Sequence, residues 1–192
     1  KNIIYKRLVE LKTIFPKIKF SLNDEQIKET IWTFIDKFDN ITMGKDDIII
    51  SVFYNQDDEV KDDISYVNGL DTYKGGTHLK YIKSEIGKFI KTKLGKKYKT
   101  EIKNIQPFYN KLVFVVSINN FPKPEFNTQN KTELINQEKE IKAFLDDKIV
   151  FDFISKKIFE KFEAKFEEII ISLNEKDINK KLNKLDKDSK KD

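Results

Sequence analysis

Residues 64–118 read ISYVNGLDTYKGGTHLKYIKSEIGKFIKTKLGKKYKTEIKNIQPFYNKLVFVVSI, and their hydrophobic spacing changes period twice. From Ile64 to Leu70, the apolar residues Ile64, Tyr66, Val67 and Leu70 are interspersed with small or polar ones before the Gly75-Gly76 pair, as in a strand entering a turn. From Leu79 the apolar positions are Leu79, Ile82, Ile86, Phe89, Ile90 and Leu94, which fall on one face of a helix over 78–94, with Thr77 as its N-cap. Leu112 to Ile118 is a nearly continuous apolar run, the composition of a strand covered on both faces. Strand, helix, strand in this order predicts a βαβ unit with a right-handed crossover. Its two strands lie parallel, and the loop after the second opens at the sheet's C-terminal edge.

Working outward, Leu8, Leu11, Ile14 and Phe15 predict a helix over 5–15 that stops before Pro16. Ile18, Phe20 and Leu22 alternate with polar residues, the pattern of a half-buried strand closed by Asn23-Asp24. Helical spacing returns over 28–39. Ile48 to Tyr54 reads as a strand, turned back by the polar loop 55–63 into an antiparallel partner at Ile64. A short helix is expected over 138–146. From Lys148, Phe151, Ile154, Ile158, Phe162, Phe166, Ile169 and Leu173 step by three or four, which predicts one long amphipathic helix. Asn174 to Asp192 reads as a solvated tail. The expected fold class is α+β: a mixed four-stranded sheet of the ribosomal S5 domain 2 type, followed by a long C-terminal helix. The expected divisions are 1–146, 147–174 and 175–192.

Composition narrows the chemistry. The chain of 192 residues is 39% hydrophobic and 12% aromatic, enough for one core. It has no cysteine and one histidine, which excludes disulfides, thiolate metal sites and multi-histidine metal sites. No run of ~18 apolar residues and no signal-peptide pattern is visible, so a soluble, intracellular protein without a membrane partner is expected. A P-loop, a dinucleotide fingerprint and zinc spacing are also absent. His78 follows a turn at a helix start and reads as a capping or packing residue, neutral in that position. Asp57, Asp58, Asp62 and Asp63 lack the order and glycine of an EF-hand and read as a solvated turn. Trp32 lies on an apolar helical face and reads as core.

Two segments carry a family resemblance. SYVNGLDTYKGGTH (65–78) resembles the strand and turn S-F-V-N-x-I-x-T-x-x-G-G-x-H of type II DNA topoisomerases. PKPEFNTQNKTEL (122–134) resembles their loop P-x-F-x-x-Q-T-K-x-x-L. Similarity extends over most of residues 5–175 and is closer to the eukaryotic and viral enzymes than to bacterial gyrase. The resemblance implies the transducer domain, which joins an N-terminal ATPase domain to a DNA-cleaving core, in an enzyme that uses ATP and Mg2+ and works as a homodimer on double-stranded DNA. It implies a nuclear location in a eukaryote, or the host cytoplasm or nucleoid for a virus or phage. In the family the loop's glutamine and lysine reach ATP held by the neighbouring domain, and the lysine contacts the γ-phosphate. The matching residues are Gln129 and Lys131. An ammonium on a flexible stem suits that role, stabilising charge that develops in phosphoryl transfer. Asn130 departs from the family's threonine. No segment matches the family's water-activating glutamate, its magnesium-holding asparagine, its glycine-rich lid or its DNA-cleaving tyrosine, so the chain by itself is expected to be inactive.

Lys88, Lys91, Lys93, Lys96, Lys97, Lys99 and Lys103 face a single acid, Glu101, across sixteen residues. Such density can neutralise phosphates without reading bases, or it can be a solvated helix end with well-placed cations. Eukaryotic topoisomerase II has a DNA-contacting lysine-rich loop at this place. The resemblance therefore implies DNA contacts from Lys91, Lys93, Lys96, Lys97 and Lys99, with Lys93, Lys96 and Lys97 the most similar. Two other classes fit parts of the chain: a non-enzymatic nucleic-acid-binding module with an S5-like fold, and a scaffold that pairs through its long helix. Neither accounts for the 129–131 loop.

Overall fold

Leu112–Ile118 is buried at every position because it runs through the middle of a sheet with cores on both faces. The computed structural model describes residues 2–188, except 46, 57, 59, 100, 101 and 147–150. In chain order the elements are α1 (Asn2–Ile14), β1 (Ser21–Leu22), β2 (Glu25–Gln26), α2 (Ile31–Ile35), β3 (Asn40–Lys45), β4 (Ile48–Tyr54), β5 (Ile64–Val67) and β6 (Leu70–Asp71), followed by α3 (Thr77–Tyr98), α4 (Gln106–Tyr109), β7 (Leu112–Ile118), α5 (Glu138–Asp146) and α6 (Phe151–Asp188).

The main sheet has five strands in the order β3-β4-β7-β5-β6. β5 and β7 pair in parallel from Ile64↔Val115 to Val67↔Ile118, with α3 between them in the chain, as the change of period predicts. Three expectations about the strands are corrected. The sheet has five strands rather than four, because Asn40–Lys45 pairs along the whole length of β4 as an edge strand. β4 and β5 are not hydrogen-bonded partners, because β7 lies between them and takes β4 as its antiparallel neighbour. Ile18–Leu22 does not join the sheet either. Ile18 is 51% exposed, and only Ser21–Leu22 pairs, with Glu25–Gln26, around the left-handed Asn23 and Asp24.

Period two sorts the side chains between the two faces. Ile48, Ile50, Val52, Leu112, Phe114 and Val116 join the larger core, while Phe53, Val113 and Val115 meet Ile35 of α2 on the other face. α3 lays Ile82, Ile86, Ile90 and Leu94, all fully buried, onto the larger core. α6 adds Ile154, Ile158, Phe162, Phe166 and Ile170, one residue per turn. Each such side chain contributes ~1.5–3 kcal/mol by leaving water. α3 runs past Gly95 to Tyr98, further than Leu94, so most of the expected lysine connector is helical. Gly87 opens its flank to Tyr109, whose hydroxyl donates to the Lys83 carbonyl, and a Cβ at Gly87 would collide with that hydroxyl. The N-cap of α3 is Gly76 rather than Thr77. The helix expected over 28–39 is confined to Ile31–Ile35, closed at its start by a reciprocal Thr30–Thr33 capping box. α6 continues to Asp188 through the segment read as a solvated tail. Among the described residues, no helix is long and apolar enough to cross a membrane.

Candidate functional site

The two segments singled out in the sequence meet in space. After β7 the chain folds into a narrow loop whose arms pair at Phe126↔Leu134 and through Asn127 N–H to the Glu133 carbonyl, 3.1 Å. One arm is fastened to the Gly75-Gly76 turn. Leu134 N–H donates to the Gly75 carbonyl at 3.2 Å, Thr77 N–H to the Leu134 carbonyl at 2.9 Å, and Lys74 N–H to the Thr132 carbonyl at 3.0 Å. Gly76 has φ +139°, and a Cβ there would collide with the Leu134 carbonyl oxygen and lie 2.6 Å from its nitrogen. The second glycine is therefore required by close backbone approach as well as by conformation. Thr77 Oγ1 donates to the Leu134 carbonyl at 3.4 Å, so its hydroxyl serves the loop and not the helix start.

Side chains stiffen the loop further. Buried Asn136 accepts from Glu125 N–H at 2.7 Å and donates to the Lys123 carbonyl at 3.1 Å. Thr132, also buried, donates to Asn127 Oδ1 at 3.2 Å, and Asn127 Nδ2 donates to Glu133 Oε2 at 2.9 Å. Buried polar residues in a connecting segment mark a built loop. The run of Pro, Asn and Thr over 122–137 is its sequence signal, although the partners are not readable from it.

Gln129, Asn130 and Lys131 stand exposed at the tip. Lys131 has a left-handed backbone, φ 56°, and its N–H closes a turn onto the Thr128 carbonyl at 2.9 Å. Its ammonium sits 6.0 Å from the Phe126 ring centre, and no carboxylate salt-bridges it among the described residues. A rigid base and a free cationic tip are what delivering a charge to an external phosphate requires.

His78, one residue into α3, is fully buried, and among the described residues neither ring nitrogen has a hydrogen-bond partner. Burial pushes its pKa down to about 4, so it stays neutral at ordinary pH, as a packing residue should. The carboxylates of 57–63 separate. Asp58 pairs with Lys111 at 3.0 Å. Asp63 accepts from Phe114 N–H at 2.9 Å and from Lys83 at 2.7 Å, so it fastens β7 and is more than a solvated turn residue. Asp57 lies outside the described residues, and among those described no group of three or more His, Cys, Asp or Glu could hold a metal. Trp32 is half-buried against the α2 core.

The lysines at the end of α3 do not form one face. At ~100° per residue, Lys91 and Lys93 point to nearly opposite sides of the helix, while Lys97 lies one turn beyond Lys93 on the side of α6. Lys91 lines an open groove of about 550 Å³ between α3 and α4, together with Lys74, Lys80, Lys83 and Lys88. Lys93 rests 5.3 Å from the Phe89 ring centre. Lys96 is exposed, and Lys99 is the left-handed C-cap, φ 49°. Lys97 reaches α6, 2.9 Å from Glu163 and in contact with Glu167, and its pKa is raised by both carboxylates. Nothing near Lys97 in the chain signals these acids, which lie 66 and 70 residues away.

A family model described as DNA gyrase B matches residues 17–192. The chain belongs to the DNA gyrase B family. Its relatives include a type 2 topoisomerase subunit from Aquifex aeolicus strain VF5, 28% identical over 178 residues, with 80% of this chain and 22% of that protein covered. This DNA gyrase B family chain thus spans about a fifth of the length of the curated relative it matches. Among solved structures, the ATPase region of Saccharomyces cerevisiae topoisomerase II bound to ICRF-187 shares the fold. The TM-score is 0.69 at 19% identity, over 87% of this chain and 44% of that one. The 43K ATPase domain of Thermus thermophilus gyrase B, in complex with an aminocoumarin, superposes with a TM-score of 0.61 at 16% identity, over 96% and 56% of the two chains.

Proposed function

We propose that this chain is the transducer segment of an ATP-dependent type II DNA topoisomerase, coupling ATP binding and hydrolysis to passage of one DNA duplex through another. The observation that carries the proposal is the exposed Lys131, without a carboxylate salt bridge among the described residues, at the tip of a loop whose base is locked by backbone hydrogen bonds to the Gly75–Thr77 turn. In this reading Lys131 approaches the γ-phosphate of ATP bound by a preceding ATPase domain, and Gln129 lies beside it. ATP and Mg2+, held mainly by that domain, would supply the phosphoryl group and its charge neutralisation. Lys131 stabilises anionic charge and loses its partner when the terminal phosphate leaves, which can release the loop. Tyr73 and Ile135, 59% and 45% exposed, adjoin the loop base in the chain and give a neighbouring domain an apolar contact.

The βαβ body, with a right-handed crossover of the S5 domain 2 type, then passes the displacement from the division 1–146 to the division 147–174, which the long helix α6 enters at Phe151. Residues 175–192 lead toward a DNA-cleaving core. Double-stranded DNA is met by lysines at the end of α3, with Lys93, Lys96 and Lys97 on one side and Lys91 on the other. The complete protein works inside the cell as a homodimer.

The deciding experiment is Lys131→Ala in the full-length protein, measuring ATP turnover and supercoil relaxation. Both should fall together while thermal stability of the variant stays unchanged. Wild-type turnover in that variant would refute the assignment.

A further inference from the structure

Among the lysines proposed to meet DNA, Lys97 is held by two acids of another element. Its ammonium lies between Glu163, at 2.9 Å, and Glu167, one turn further along α6. None of the three charged side chains is buried: Lys97 is 43% exposed, and the glutamates 38% and 37%. The cluster therefore remains open to solvent and to a competing anion. Two carboxylates against one ammonium leave a net negative charge beside Lys93 and Lys96. Without the lysine between them, the two glutamates would repel each other along the helix.

We infer that Glu163 and Glu167 set the affinity of the α3 surface for DNA: they form an acidic latch on Lys97 that DNA phosphates must displace before this lysine can contact them. The inference rests on the proposed DNA contact of that surface. Phosphate and carboxylate offer Lys97 the same chemistry, so the exchange is an ion-pair swap with little net gain. Nearby Lys93 and Lys96 supply the attraction that drives it. The swap also ties DNA occupancy to α6, because the anion that takes Lys97 loosens a link between the end of α3 and the long helix. Latched, the surface binds with fewer lysines than the sequence contains, which suits a duplex that must be released after passage.

The test is binding of a short duplex DNA to the full-length protein across a range of salt concentrations. Glu163→Gln with Glu167→Gln frees Lys97. It should steepen the slope of log K against log salt by ~0.9 and tighten binding about eightfold at 0.1 M salt. Adding Lys97→Gln to that pair should return slope and affinity to about the wild-type values. The latch is overturned if the glutamine pair leaves both quantities unchanged, or if the gain survives Lys97→Gln. Lys93→Glu with Lys96→Glu separates the two levels. If it weakens binding while the glutamine pair does nothing, the surface stands and the latch falls. If it too has no effect, the surface is not a DNA site and both fall. Melting curves of each variant establish that α3 and α6 remain packed.

Discussion

Lys131 and Lys99 have the same unusual backbone, left-handed at φ 56° and 49°, and both carry their charge on an exposed side chain. Their surroundings differ. Lys131 rides on a loop whose base is fixed by backbone hydrogen bonds to a turn 57 to 59 residues earlier in the chain, so backbone structure defines where the loop stands. Lys99 is one of several lysines that fan around a helix end, one of them already claimed by acids of α6. On the proposed function, the first region acts by placement and should respond steeply to single changes. On the same proposal, the second acts by summed charge and should respond in small steps.

The sharpest break in this contrast is Gly76→Val. The new side chain would meet the Leu134 backbone and occupy a φ of +139°. We expect a loss of ~4 kcal/mol or more in denaturant unfolding, beyond the usual cost of a single substitution. ATP turnover in the full-length protein should disappear with it. Lys131→Gly makes the opposite test, because glycine tolerates the left-handed tip. Stability should hold or rise by ~0.5–1 kcal/mol. Turnover should fall ~100- to 1000-fold, the cost of removing one preorganised electrostatic group. A fold loss matched to the activity loss would show that the residue is structural.

His78, which anchors the helix start against which the loop is fastened, gives the same region a pH dependence. It is neutral in the folded chain, with a pKa of about 4 against an ordinary value of 6.5. Unfolded chains therefore bind more protons between these values, and stability should be full above pH ~6.5 and decline as the pH falls toward 4. The loss should reach about 3 kcal/mol. His78→Leu removes the unpartnered ring nitrogens and should flatten this dependence in melting experiments over that range. An unchanged slope would assign it to other groups.

The same division explains what could be read from the sequence. Elements with a strong period were legible almost to the residue: Ile48–Tyr54, Leu112–Ile118 and Glu138–Asp146 fall where the spacing places them. Sheet neighbours were not, because nothing local in Ile48–Tyr54 or Ile64–Val67 says that β7 will insert between them. The edge strand Asn40–Lys45 escaped for a related reason. One of its faces stays wet, so NITMGK carries little apolar alternation. At the site, the motif carrying Lys131 was visible as a resemblance, and the turn at Gly75-Gly76 as chemistry. That the two are hydrogen-bonded to each other was not. In the lysine region the cations were countable, but Glu163 and Glu167 are brought to Lys97 only by the packing of α6 on α3.

Smaller effects belong to the helix end. Lys93→Glu with Lys96→Glu should weaken DNA binding uniformly across sequences, because phosphate contacts carry no base information. The salt slope should fall by ~1.8, about 0.9 for each lost contact. A change confined to particular DNA sequences would instead point to base readout.

The smallest effect is expected at Lys99, where the two regions can be compared most directly. Lys99→Gly places the residue suited to a left-handed helix end where its N–H already closes onto the Gly95 carbonyl. Thermal stability should rise, by ~0.5–1 kcal/mol at most. DNA affinity should drop only by the share of one exposed cation among several, reducing the salt slope by ~0.9. The same substitution at the same backbone conformation would then cut turnover ~100- to 1000-fold at 131 and merely trim affinity at 99. If Lys99→Gly instead removed DNA binding altogether, the helix end would be a positioned site like the loop, and the distinction between placement and summed charge would fail.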